Sequence, residues 1–149
     1  MLSSYFGSGS IVTQDGSPSF EAAVSQSVSL LVDSGKVKAN YVDEVLESLK
    51  VLGPYFVIAP GLALAHAKPS DSVIQPGMAL LKLSKPVASG SANDPVSLIF
   101  SMCSPNADDH LEMLGEFADL MSTENVMNSL LNASAQSVIE EILFKRRFN

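Results

Sequence analysis

One cysteine, Cys103, is all the thiol chemistry that this 149-residue chain carries. A single thiol cannot close an internal disulfide, and a cysteine-based zinc site needs more of them. Histidine is almost as scarce, with only His66 and His110. Both arginines, Arg146 and Arg147, lie in a short basic tail that begins at Lys145. An arginine clamp on a phosphate would therefore have to come from that tail or from a partner. Positive charge is short overall: nine Lys plus Arg stand against sixteen Asp plus Glu, a net charge of −7. That balance argues against a nucleic-acid binder and against a polybasic membrane anchor. No run approaches the roughly 20 apolar residues of a membrane span. The opening ten residues have neither a basic n-region nor an apolar h-region, which reads against a signal peptide. With one thiol and no export signal, the expected compartment is the cytoplasm. Neither G-x-x-x-x-G-K-[ST] nor G-x-G-x-x-G is present, so a nucleotide cradle lacks its usual support. Few residues remain for acid–base or nucleophilic work near neutral pH.

What is present is apolar. Hydrophobic residues make up 46% of the chain and charged residues 17%, which excludes a disordered polymer. The length fits one domain, 1–149, large enough to bury about 70% of its unfolded surface. Residues 1–18 are rich in Ser and Gly, either loosely ordered or forming an edge strand around Ile11-Val12-Thr13; Gly7-Ser-Gly-Ser reads as a mobile terminus. From Ser19, Phe20, Val24, Val28 and Leu31 recur at helical spacing, with Ser17 or Ser19 to cap the helix and Gly35 to stop it. A second stripe follows Asn40, through Tyr41, Val42, Val45, Leu46 and Leu49, and ends near Gly53-Pro54. Between Tyr55 and Phe100 the helical period vanishes. Apolar runs at 55–59, 61–65, 78–83 and 96–103 have strand length and turn-residue borders. Such near-continuous runs suit strands covered on both faces. Helical spacing returns after Pro105, entered through Asn106 or Asp108, with further helices over 123–132 and 135–144. The pattern predicts an α/β fold: a mixed sheet flanked by helices in an α/β sandwich.

Two segments could carry chemistry. Ala59-Pro-Gly-Leu-Ala-Leu-Ala-His66-Ala-Lys68-Pro69 ends a small, nearly uncharged run in a histidine, ahead of the polar turn Ser70-Asp71-Ser72. Small neighbours leave the imidazole open, and a neutral imidazole is a nucleophile poised near pH 7. His66 is thus either a nucleophile or a satisfied structural histidine near a turn. His110 falls in the first turn of a helix, where free N–H groups and the dipole welcome phosphate. It either donates to such an anion or is merely exposed, with Asp108 and Asp109 complementing the dipole. Cys103, ending an apolar strand, reads as a buried small hydrophobe. Asp108 with Asp109 shows no metal-ligand spacing such as H-E-x-x-H. The basic tail reads as a solvated helix end.

Together the two segments resemble something specific. The run from Ala59 to Pro69, followed about 44 residues after His66 by Asp109-His110-Leu-Glu-Met-Leu, resembles the EIIA domains of the mannitol/fructose class of the bacterial sugar phosphotransferase system. Gly-Pro-Tyr-Phe-Val-Ile-Ala-Pro-Gly ahead of the histidine looks most like the ascorbate branch. The resemblance covers roughly residues 19–145. It implies that His66 accepts a phosphoryl group from phospho-HPr, through Nε2. It further implies that His66 passes the group to a cysteine of a cognate EIIB, with membrane EIIC served indirectly. His110 would donate to the phosphoryl oxygens, and no metal or organic cofactor is implied. Lys68 would add positive charge or simply be solvated. An apolar rim around Leu62, Leu64 and Ala67 would meet partners, with Asp71 or Asp109 suited to basic residues of HPr. The family usually carries Pro directly before the histidine; here that position is Ala65, which leaves the approach less constrained. A regulatory EIIA-like domain, whose phosphorylation state signals to a transporter or regulator, is the alternative. A carboxylate hydrolase using His110 is a third.

Overall fold

The computed structural model describes residues 2–145; Arg146 and Arg147 of the basic tail lie outside the described residues. Ser19 is extended, and its hydroxyl accepts the Ala22 N–H at 3.0 Å, which starts α1 (Phe20–Asp33). Of the two candidate caps, Ser19 is therefore the one used. The second helix, α2 (Asn40–Leu52), begins at Asn40 itself and has no side-chain cap. It stops at Gly53, whose φ of 75° is a left-handed geometry that a Cβ would disfavour.

Five strands form one sheet: β1 (Phe6–Gln14), β2 (Val57–Ala59), β3 (Leu62–Ala65), β4 (Gly77–Val87) and β5 (Val96–Cys103). Their order is β1-β4-β5-β3-β2. Pairs β1/β4 and β3/β5 are parallel, while β4/β5 and β2/β3 are antiparallel, so the sheet is mixed. Gly7–Ser10, expected as a mobile terminus, lies inside β1, which runs well beyond Ile11–Thr13. The flanking Phe6 and Ile11 pair with Met78 and Leu80 of β4, the register shifts between them, and a Ser10 hydroxyl bond to the Gly7 carbonyl at 2.6 Å closes the intervening segment. After the sheet come α3 (Ala107–Ser122), α4 (Val126–Asn132) and α5 (Gln136–Phe144), and a short 3-10 turn at Leu2–Tyr5 precedes it.

Side chains alternate across a strand, so each strand feeds two cores. Ala63 and Ala65, Ala79, Leu81 and Leu83, and Ile99 and Cys103 face α1 and α2. Leu62 and Leu64, Met78 and Leu80, and Leu98, Phe100 and Met102 face α3, α4 and α5. The result is the α/β sandwich anticipated from the sequence, with the sheet between two helical layers. Among the described residues, one charged residue is buried in it: Lys82 is 6% exposed, and its ammonium donates to the carbonyls of Leu131, at 2.8 Å, and Ala133. These carbonyls close α4, where the helix dipole favours a cation.

Candidate active site

The sheet's polarity brings the two histidines together. β3 and β5 run parallel in neighbouring positions, so the residues after each leave the sheet at the same end. His66 follows β3, and α3 begins four residues after β5. Period-two alternation continues from Leu62 and Leu64 to His66 and carries it onto the α3 face. There the His66 and His110 rings lie 5.6 Å apart between centroids, at 52°.

Each ring has its own support. His66 Nδ1 is 2.9 Å from the carbonyl oxygen of Leu64. A carbonyl only accepts, so Nδ1 carries the proton and Nε2 keeps its lone pair. Tyr55 and Phe56 pack beside the imidazole, at 6.0 Å and 5.6 Å between centroids. Burial pushes the His66 pKa below the ordinary imidazole value; the Leu64 carbonyl opposes this, and His110 adds to the lowering. His66 is therefore neutral at pH 7. His110 is set by the entry to α3. Asn106, the N-cap, accepts the Asp109 N–H at 2.8 Å and donates back to the Asp109 carboxylate at 2.9 Å. This leaves first-turn amides without helical acceptors beside the half-buried His110 ring. A neutral imidazole with a free ring nitrogen thus packs against the His110 ring at a donor-rich helix start, an arrangement suited to receiving an anion.

The segment leaving His66 is held by α2. The Tyr41 hydroxyl, wholly buried, accepts the Ala67 N–H at 3.0 Å and donates to the Met102 carbonyl at 2.9 Å. One turn further on, the Glu44 carboxylate accepts the hydroxyls of Ser70, at 2.7 Å, and Ser72. Sequence reading took Tyr41 only as one apolar stripe residue; a buried tyrosine's need for a polar partner was the available signal. Glu44 was missed outright.

The remaining candidates are dispersed. Cys103 is buried, with its thiol against the Gln75 carbonyl at 3.4 Å and its pKa pushed up to about 12 by burial. Lys68, Asp71 and Asp108 are exposed, whereas Asp109 is committed to Asn106. The expected rim is corrected. Leu62 and Leu64 are each 2% exposed and Ala67 8%, because all three side chains pack into the two cores. The apolar surface comes instead from Tyr55, Ile58 and Leu111, at 40%, 52% and 67% exposure. Among the described residues, no three His, Cys, Asp or Glu side chains cluster closely enough to hold a metal ion. No described helix is long and apolar enough to cross a membrane.

Comparison with known proteins finds the same fold elsewhere. The mannitol-specific cryptic phosphotransferase enzyme IIA component of Escherichia coli K12 is 28% identical over 142 residues, covering 95% of this chain and 97% of that one. Its solution structure superposes with a TM-score of 0.89 over 97% of this chain and 99% of that one. The ascorbate-specific EIIA component of the same strain is 37% identical over 105 residues, 70% of this chain and 68% of that one. The fold also matches enzyme IIA mannitol from E. coli in its complex with phosphorylated enzyme IIB. That match has a TM-score of 0.79 and 20% identity over 95% of this chain and 98% of that one. The family model for the EIIA 2 component matches residues 4–146, nearly end to end. The chain belongs to the EIIA 2 family of the phosphoenolpyruvate-dependent sugar phosphotransferase system.

Proposed function

We propose that this protein is a phosphoryl carrier, with His66 the residue that takes and releases the group. The observation that carries the reading is the Nδ1 contact to Leu64, which leaves Nε2 as the free nucleophile on a ring packed 5.6 Å from that of His110. In uptake, the Nε2 lone pair forms a bond to phosphorus while the P–N bond to the histidine of phospho-HPr breaks. The transferred group is metaphosphate-like in transit, so alignment and charge stabilisation dominate. His110 and the first-turn amides of α3 donate to its oxygens. The Leu64 carbonyl keeps a proton on Nδ1, so the phosphorylated ring can depart as neutral imidazole. In release, a cysteine thiolate of a cognate EIIB attacks phosphorus and the P–Nε2 bond breaks. The EIIB complex of the mannitol fold neighbour supports that acceptor class.

Ascorbate or a related sugar acid is the proposed cargo, on the strength of the 37% identical relative. Transfer to EIIB components of the ascorbate and mannitol systems, compared side by side, tests the choice. The carrier role is tested by incubation with Enzyme I, HPr and phosphoenolpyruvate. Stoichiometric labelling of His66, then loss of label to an EIIB cysteine, is the expected result. A His66→Ala variant labelled as strongly as the parent would overturn it. Labelling without onward transfer to any EIIB would favour a signalling role instead.

A further inference from the structure

We infer that Tyr41 is a positioning residue for His66, acting as a hydroxyl rung between two strands as they part; its catalytic consequence rests on the carrier reading above. The parallel ladder of β3 and β5 reaches Ala65 opposite Ser101. The next polar groups along the two chains are the Ala67 N–H and the Met102 carbonyl, and they do not bond to one another. Both bond to the Tyr41 oxygen, at 3.0 Å and 2.9 Å, with the Ala67 carbonyl a further 3.4 Å contact. The phenolic oxygen thus stands where one more ladder bond would close, and it holds the strands apart by its own width.

His66 lies between the last ladder pair and this inserted rung. Its backbone is fixed on one side by Ala65 and on the other by Tyr41, through Ala67. That double constraint aims the imidazole at His110 and keeps Nδ1 on the Leu64 carbonyl. Burial adds force to the device. Tyr41 is 0% exposed, and an N–H or carbonyl left unpaired there is costly, so the rung is either made or replaced by a different backbone path. Tyr41 touches neither the phosphoryl group nor a reacting atom; its effect passes through the His66 backbone.

Tyr41→Phe keeps the ring and deletes the rung. Two readouts separate positioning from mere stability. The first is the His66 tautomer, from imidazole nitrogen chemical shifts of the unphosphorylated protein at about pH 8, where the ring is neutral. The second is the rate of phosphoryl uptake from HPr. Ser27→Ala serves as the control, since it removes another buried hydroxyl bond to β5, to Ile99 at 2.7 Å, away from His66. The expected result is a mixed His66 tautomer and uptake slowed roughly 10- to 100-fold in Tyr41→Phe, with both readouts unchanged in Ser27→Ala. Wild-type tautomer and rate in folded Tyr41→Phe would overturn the inference, as would the same changes in Ser27→Ala. Should Tyr41→Phe not fold, amide exchange in the wild type decides. An Ala67 N–H exchanging much more slowly than that of exposed Lys68 supports the rung, and equal rates overturn it. If the wild type takes no phosphate on His66, the carrier reading fails while the tautomer comparison still tests Tyr41.

Discussion

His66 Nδ1 donates to the carbonyl of Leu64, two residues behind it, at 2.9 Å. The bond fixes which nitrogen is free, and burial of the same ring lowers its pKa. Below an ordinary imidazole pKa of about 6.5, the unfolded chain binds a proton at this position before the folded one does. Stability therefore falls as pH drops from about 6.5 toward the depressed folded value, and this contribution levels off below it. Urea unfolding of the wild type and His66→Gln across that window checks the sign: the variant loses this component of the slope. Uptake of phosphate falls in the same direction, as the neutral nucleophile disappears.

His110 sits half-buried in the first turn of α3, and its proposed work is on the phosphoryl oxygens. His110→Ala is expected to slow transfer about 100- to 1,000-fold, the range for losing one charge-stabilising donor. Thermal unfolding should move little, since the turn is held by Asn106. Unchanged single-turnover transfer kinetics would remove His110 from the mechanism.

Cys103 is buried and its thiol is raised to about 12, so almost no thiolate exists at pH 8. A disulfide-exchange reagent should leave the native protein unmodified and react with one equivalent only after denaturation. Cys103→Ala should retain phosphoryl uptake, which a labelling assay reads directly.

Lys82 closes the end of α4 from the interior strand β4. Lys82→Met keeps much of the aliphatic stem but leaves two carbonyls without their donor. A loss of about 1–3 kcal/mol in denaturant unfolding is expected. Transfer kinetics should be unchanged, because the contact lies on β4 and α4, away from both histidines.

Local patterns in the sequence carried much of this architecture. The Phe20-Val24-Val28-Leu31 stripe and the Ser19 cap mark α1, and near-continuous apolar runs mark strands buried on both sides. The histidine segments stood out by their small neighbours and helix-start context. Less legible was anything set by pairing between distant strands. Leu62 and Leu64 looked like a surface rim because a small apolar run does not reveal which faces the helices cover. Tyr41 looked like an ordinary stripe residue, and Lys82 passed unremarked inside the apolar run 78–83. Their partners, Met102 and Leu131, are distant in sequence and become neighbours only when the layers assemble.

The antiparallel β4 starts where β3 and β5 finish, with Gly77 opposite Cys103. The excursion from His66 to Gly77 therefore leaves and re-enters the sheet at one end, and α3 starts there too. The β4–β5 hairpin, with the Ser89–Asp94 turn, projects from the opposite end. An affinity handle or fluorophore grafted at exposed Ala92 would thus ride at the end of the sheet opposite both histidines. The two histidines and this turn thus occupy opposite poles, and an immobilised or dye-labelled version tethered by the turn leaves the histidine pole open to solvent.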